Sequence, residues 1–215
     1  MKELSVRITL TDELLGTAAG NPWVHDEFIA SKAPGALSRK QEIEALGPDA
    51  VIEKAKTVFP KTADGAPFIW DYNIKGFFKD AASMLRRVPG SKTSKLAAYR
   101  REIDGLVFIK ERRIPITLPA GSSGLGSCQR PLRAQTPQGE RVSLADSESA
   151  PEGSCLEFTV QCLVDGDVEY IEEWLDYGAV RGLGRWRNSG KGRFVWQEAP
   201  GGDRQGKGEA EQGDA

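Results

Sequence analysis

Thirteen consecutive residues, Arg181 to Arg193, hold five cations, four glycines, one tryptophan and no acid. Gly182, Gly184, Gly190 and Gly192 would each penalise a helix by about 1 kcal/mol and would weaken a strand, so the stretch has to be a loop. Its flanks are regular. Val168, Ile171, Trp174, Leu175 and Gly178 recur at helical spacing over 167–180, and Phe194 to Gln197 read as a closing strand. A strand over 154–163 precedes that helix, which makes the C-terminal part a strand, helix, glycine-rich loop, strand unit.

The N-terminal part offers matching pieces. Leu4, Val6, Ile8 and Leu10 alternate with polar residues, a first strand over 3–11. Residues 25–57 predict short helices inserted after it, and Asp64-Gly65 predicts a turn in a small hairpin over 59–70. Ile74, Phe77, Phe78, Ala81 and Leu85 form one apolar stripe of a helix from Asp71 to Val88, capped by Asp71 or Asn73 and stopped by Pro89-Gly90. Two short strands are predicted within 105–118, Pro115 putting the second at an edge or bulge. Residues 119–140 predict a long polar loop, and 142–144 a short strand. The class is therefore α+β.

Charge bears on partners. Of 29 cations and 31 acids, two and four respectively lie beyond Ala199, where no large apolar residue occurs. Residues 199–215 thus predict a disordered tail on a neutral body, residues 1–198, and any polyanion site must be a local patch. The absence of a long apolar run predicts a chain with no membrane partner. Three cysteines without paired spacing and a single histidine, His25, predict free thiols, a cytoplasmic setting, no metal and no cofactor.

The loop's residue types suit phosphate. Glycines let main-chain amides approach, Arg181, Arg185, Arg187, Lys191 and Arg193 supply charge-assisted bonds, Trp186 offers a stacking face, and Asn188 and Ser189 are small and polar. Lys75, Lys79 and Arg86 share a face of the 71–88 helix and are expected to support the loop. A nucleotide-hydrolysing P-loop is excluded, because five residues separate Gly184 from Gly190-Lys191 and Gly192 stands where a magnesium-binding hydroxyl belongs.

The run Gly182-Leu183-Gly184-Arg185-Trp186-Arg187-Asn188-Ser189-Gly190-Lys191-Gly192-Arg193-Phe194 resembles the glycine-rich loop of the RAMP superfamily, the RNA-binding proteins of CRISPR effector complexes. Asp64 to Asp80, with its Pro-Phe-Ile-Trp step into Ile74-Lys75-Gly76, resembles the family's Ser-x-Lys-Gly helix, with Tyr72-Asn73 in place of the usual serine pair. Residues 8–20 stand where the family's first strand meets its first loop. The resemblance implies a ferredoxin-like (RRM-like) antiparallel sheet core with helical insertions, the inserted stretches being about 21–57, read as helices, and 119–140, read as a loop. It also implies single-stranded RNA, with DNA as an alternative, held along the sheet and the loop, and other ribonucleoprotein subunits or copies of itself as partners. The same residues are equally compatible with a phage or mobile-element relative outside CRISPR.

Some members of that superfamily cleave RNA with a histidine or with an aspartate after the first strand, for which the resemblance offers His25 and Asp26. Neither stands in a specific motif, so the expectation is a binding protein. The alternatives are a metal-independent endoribonuclease using His25 and a phage structural or assembly protein whose basic loop meets a protein.

Overall fold

A computed structural model describes residues 1–20, 56–136 and 139–199. His25, Asp26 and the helices expected over 25–57 lie largely outside the described residues, as does nearly all of the tail.

The central layer is a four-stranded antiparallel sheet. Strand β1 (Lys2–Leu10) lies between β10 (Cys155–Cys162) and β11 (Phe194–Glu198), and β6 (Val107–Ile109) adds to the far edge of β10. The register follows from the alternation. Leu4, Val6 and Ile8 stand opposite Val160, Phe158 and Leu156, and Ile8 and Leu10 opposite Trp196 and Phe194. One face is therefore continuous hydrocarbon. Val6, Ile8 and Val160 are fully buried there, each such side chain contributing roughly 1.5–3 kcal/mol.

Among the described residues three helices cover that face: α1 (Asp71–Leu85), α2 (Tyr99–Leu106) and α3 (Val168–Arg181). The apolar stripe of α1 supplies Ile74, Phe77, Phe78 and Ala81 to the core, and α3 supplies Ile171, Trp174 and Leu175. Phe78 packs against Trp174 at 5.6 Å between ring centroids, and Phe77 meets Phe194 edge-on at 5.4 Å. The Trp174 indole N–H donates to Thr93 Oγ1 at 2.9 Å, and Glu173 accepts from the Thr93 amide at 2.9 Å, which ties α3 to the turn after α1. Asn73 Oδ1 accepts the Trp70 amide at 3.0 Å, the reach-back half of a capping box.

The sheet's other face is polar. Arg7 lies 3.5 Å from Glu157, Gln161 donates to Glu3 at 2.8 Å, and the Thr159 amide donates to Glu111 at 2.6 Å. Among the described residues Phe108, on the edge strand, is the aromatic residue of this face. The face is thus unlike an aromatic platform for bases, and the expectation of binding along it gains nothing from the structure.

A second sheet holds β2 (Leu14–Leu15), β3 (Ala18–Ala19), β4 (Thr57–Val58), β8 (Gly126–Thr136) and β9 (Gly139–Ala150). The stretch expected as a loop over 119–140 is a loop only as far as Leu125. From Gly126 it is one arm of a hairpin, paired with β9 through Thr136↔Gly139. Polar residues on both faces remove the period-2 signal, and Pro131 is tolerated because β8 pairs on one edge alone. The Asp64-Gly65 turn is present, with Lys61 bridged to Pro67. The strands expected within 105–118 are β6 and β7 (Arg113–Pro115). They pair with different partners, β7 with β5 (Phe68–Trp70).

Two helical glycines are expected to respond oppositely to alanine. A Cβ at Gly178 would sit 2.1 Å from Cζ of the buried Phe194 ring, so Gly178→Ala should destabilise by roughly 1–3 kcal/mol. A Cβ at Gly76 would meet nothing within 4 Å among the described residues, so Gly76→Ala should stabilise by up to about 1 kcal/mol. Urea unfolding of both variants checks the two signs.

Candidate nucleic-acid interface

The glycine-rich loop leaves α3 at Gly182, turns through a short 3-10 segment, Arg187–Ser189, and enters β11. It closes on itself: the Leu183 amide donates to the Gly192 carbonyl at 2.7 Å, and the Gly192 amide donates to the Glu13 carbonyl at 2.8 Å. A Cβ at Gly192 would lie 2.0 Å from the Leu183 carbonyl oxygen, and φ there is +71°, so glycine is required for closure. Gly182 and Gly190 likewise direct their amides inward, to Gly178 and Arg187. These glycines fold the loop, and the amides of Gly182, Gly190 and Gly192 are not available to a phosphate.

The cations divide. Arg181 and Arg187 both donate to Asp80 on α1, each at 2.8 Å, and Arg181 also donates to Asn188 Oδ1 at 2.8 Å. Lys191 bridges Asp12 and Glu13 at 2.9 and 2.8 Å. Hydrogen bonding to Glu13 first, and then to Asp12, raises the Lys191 pKa; the bond to Asp80 raises that of Arg181. Burial pushes the Glu13 carboxyl up, but its bonds from Lys191 and Ser149 outweigh this and hold it below the ordinary glutamate value. Three of the five expected phosphate ligands are therefore internal struts, because acids distant in sequence fold against them. Arg185 and Arg193 are exposed and make no ion pair among the described residues.

Trp186 stands between these sets. It is 36% exposed and adopts φ +56°, ψ +31°, a left-handed conformation that a bulky side chain rarely takes. Arg130, 5% exposed, places its guanidinium over the ring at 5.3 Å and donates to the buried Ser147 Oγ at 2.9 Å. Arg130 was not singled out in the sequence, since its partners are residues 147 and 186 and no local pattern marks it. The loop thus presents Arg185, Trp186, Asn188, Ser189 and Arg193 outward on a framework braced at Asp80, Asp12, Glu13 and Arg130.

The supporting cations of α1 lie on another flank. Lys75 donates to the Asp104 carbonyl at 3.2 Å and sits over the Phe108 ring, Lys79 pairs with the Asp104 carboxylate, and Arg86 lies over Tyr99. All three pack against α2 or the strand after it, so they do not join the loop. The α1 face that does meet the loop carries Tyr72, Asn73, Gly76 and Asp80. Between it and Gly184 and Arg187 lies a groove of about 210 Å³. A wider cleft of about 760 Å³, lined by Asp12, Glu13, Lys191 and the 119–124 turn, opens on the other side of Lys191.

Among the described residues no group of three histidine, cysteine or acidic side chains is placed to hold a metal, and no helix is long and apolar enough to cross a membrane. Cys128, Cys155 and Cys162 are free, and burial pushes the Cys162 thiol up to about 11.

No family model matches the chain, and no curated protein matches it in sequence. Among solved structures, the fold is similar to that of a chain of the Type IV-B CRISPR complex, with TM-score 0.54 and 11% identity over 99% of this chain and 96% of that one. A chain of the Type III-B Cmr-beta complex bound to cognate target RNA gives 0.47 and 14% over 92% of this chain and 60% of that one. Cmr6 from Pyrococcus furiosus gives 0.43 and 12% over 90% and 97%. The likeness to the Type IV-B chain is one of fold.

Asp80→Ala leaves two guanidiniums without their acceptor. It is expected to lower stability by roughly 1–3 kcal/mol and to speed trypsin cleavage within 181–193, read by urea unfolding and peptide mapping. The Glu13–Lys191 pair should act across neutral pH and fail as the carboxylate protonates. Glu13→Gln should therefore lower Tm at neutral pH, and the difference from the parent should vanish as pH falls below the ordinary glutamate value of 4.5.

Proposed function

We propose that this chain is an RNA-binding subunit of a CRISPR-type ribonucleoprotein, gripping single-stranded RNA with the exposed side of its glycine-rich loop. The observation that carries this is the loop itself: Arg185 and Arg193 exposed, Trp186 between them in a strained conformation, and the whole braced from within. Strained, over-determined residues concentrate where a structure binds or reacts. On a neutral body, two exposed guanidiniums beside an indole make a local polyanion site, with the indole able to stack a base for about 1–3 kcal/mol.

The fold supports the same reading. Counting only the central sheet, the strand order is last, first, third, second, all antiparallel, with helices after the first and third strands. This is the order of a ferredoxin-like βαββαβ unit, which we take residues 1–198 to elaborate as one domain. The solved chain whose fold is similar belongs to a Type IV-B CRISPR complex. Other subunits, the RNA and a cytoplasmic setting are the partners and place that follow.

Replacing Arg185 and Arg193 together by alanine is expected to weaken binding to a single-stranded oligonucleotide about tenfold or more, since charge-assisted bonds are worth about 1.5–3 kcal/mol. The slope of log affinity against log salt should fall by about 1.4, two phosphate contacts at about 0.7 each. Fluorescence anisotropy across a salt series reads both. An unchanged slope with full affinity would sink the loop assignment.

A further inference from the structure

The groove between α1 and the glycine-rich loop is walled by Tyr72 and Gly76 on one side and Gly184 and Arg187 on the other, over a floor of Phe77 and Leu183. Tyr72 is 54% exposed, although its ring stacks on Trp70 at 6.1 Å with planes 16° apart. Over Trp70 lie two guanidiniums, Arg112 at 5.5 Å and Arg113 at 5.6 Å. Arg112 is held there by Asp71, to both of whose carboxylate oxygens it donates at 2.7 Å. Tyr72 is thus the exposed end of a rigid cation–indole–phenol cluster and also a wall of the groove.

Gly76 points the same way. It lies inside a helix, where glycine is unfavourable, yet among the described residues a side chain there would touch nothing within 4 Å. Unlike Gly178 and Gly192, it is not demanded by internal packing. What its missing side chain preserves is the open space of the groove.

We infer that this groove receives one unpaired nucleobase of the bound strand, stacked on the Tyr72 ring and seated over Gly76. The inference rests on the RNA-binding reading above and names the moiety that this part of the surface takes. At about 210 Å³ the groove is smaller than the roughly 300–1,000 Å³ of drug-sized sites and suits a single ring system. Its apolar floor matches a base's face. Its rim carries donors: Arg187, fixed by Asp80, and the Asn73 amide nitrogen, which has no acceptor among the described residues, Asn73 Oδ1 being the atom that accepts the Trp70 amide. Trp186 and Tyr72 would then engage the same strand from the loop and the helix, with Gly184 between them.

The test compares a short oligouridylate with an abasic ribose-phosphate strand of equal length, on the full chain. Tyr72→Ala and Gly76→Leu are each expected to weaken oligouridylate binding about tenfold, the effect of one lost stacked base. They should leave abasic-strand affinity and the salt slope unchanged, because no phosphate contact is removed. A 2-aminopurine in the strand should be quenched by the parent and less so by both variants. Gly76→Ala guards against misfolding: it should raise Tm while reducing oligouridylate affinity. Equal losses on both strands, or no loss from Tyr72→Ala and Gly76→Leu, overturn the base-binding groove and leave the phosphate-binding loop standing. A parent chain that binds neither strand overturns both.

Discussion

Asp80 holds the structure's working end together. It sits on α1, half-buried, and accepts from Arg181 at the end of α3 and from Arg187 within the loop. One carboxylate thereby locks the loop to the helix pair that roofs the central sheet. Removing two guanidiniums from water is tolerable because both find the same anion with short bonds, and the carboxylate has its own charge compensated. The position of Arg187, which lines the groove beside it and directly follows the strained Trp186, is set by that anchor.

Two further braces complete it. Gly178 lets the Phe194 ring lie against α3, so the strand that ends the loop is fixed to the helix that begins it. Lys191 is clamped by the pair of acids after β1, so the central strand of the sheet also takes part. A loop of this composition would be mobile in isolation. Here its ends and its middle are each held by a different element, and ordering has been completed before any ligand arrives, which lowers the entropy that binding must overcome.

Much of the sheet and its helices could be read from periodicity. Leu4, Val6, Ile8 and Leu10 pointed inward as their alternation requires, and the stripe from Ile74 to Ala81 did the same at helical spacing. Of the hairpin over 126–150 only the short strand over 142–144 was legible, because apolar residues do not alternate regularly along the rest of either arm, where the strand exists only in the main-chain pairing. The position of the loop was legible, but the division of its cations was not. Nothing near Arg187 or Lys191 in sequence announces Asp80 or Asp12 as partners, since ion pairs between distant segments leave no local trace. The glycines misled in the same way: their number suggested open amides, whereas Gly182 and Gly192 serve the close approach of one loop strand to the other.

The stacking of Arg130 on Trp186 links parts that the topology otherwise keeps separate. Arg130 belongs to β8, and Ser147, its hydrogen-bond partner, belongs to β9, so both arms of the hairpin converge on one guanidinium. The arms run on for several residues beyond that point, roughly 20 Å of ribbon at about 3.4 Å per residue. The hairpin is thereby fastened through one guanidinium to Trp186, which among the described residues is the one non-glycine residue with a left-handed backbone.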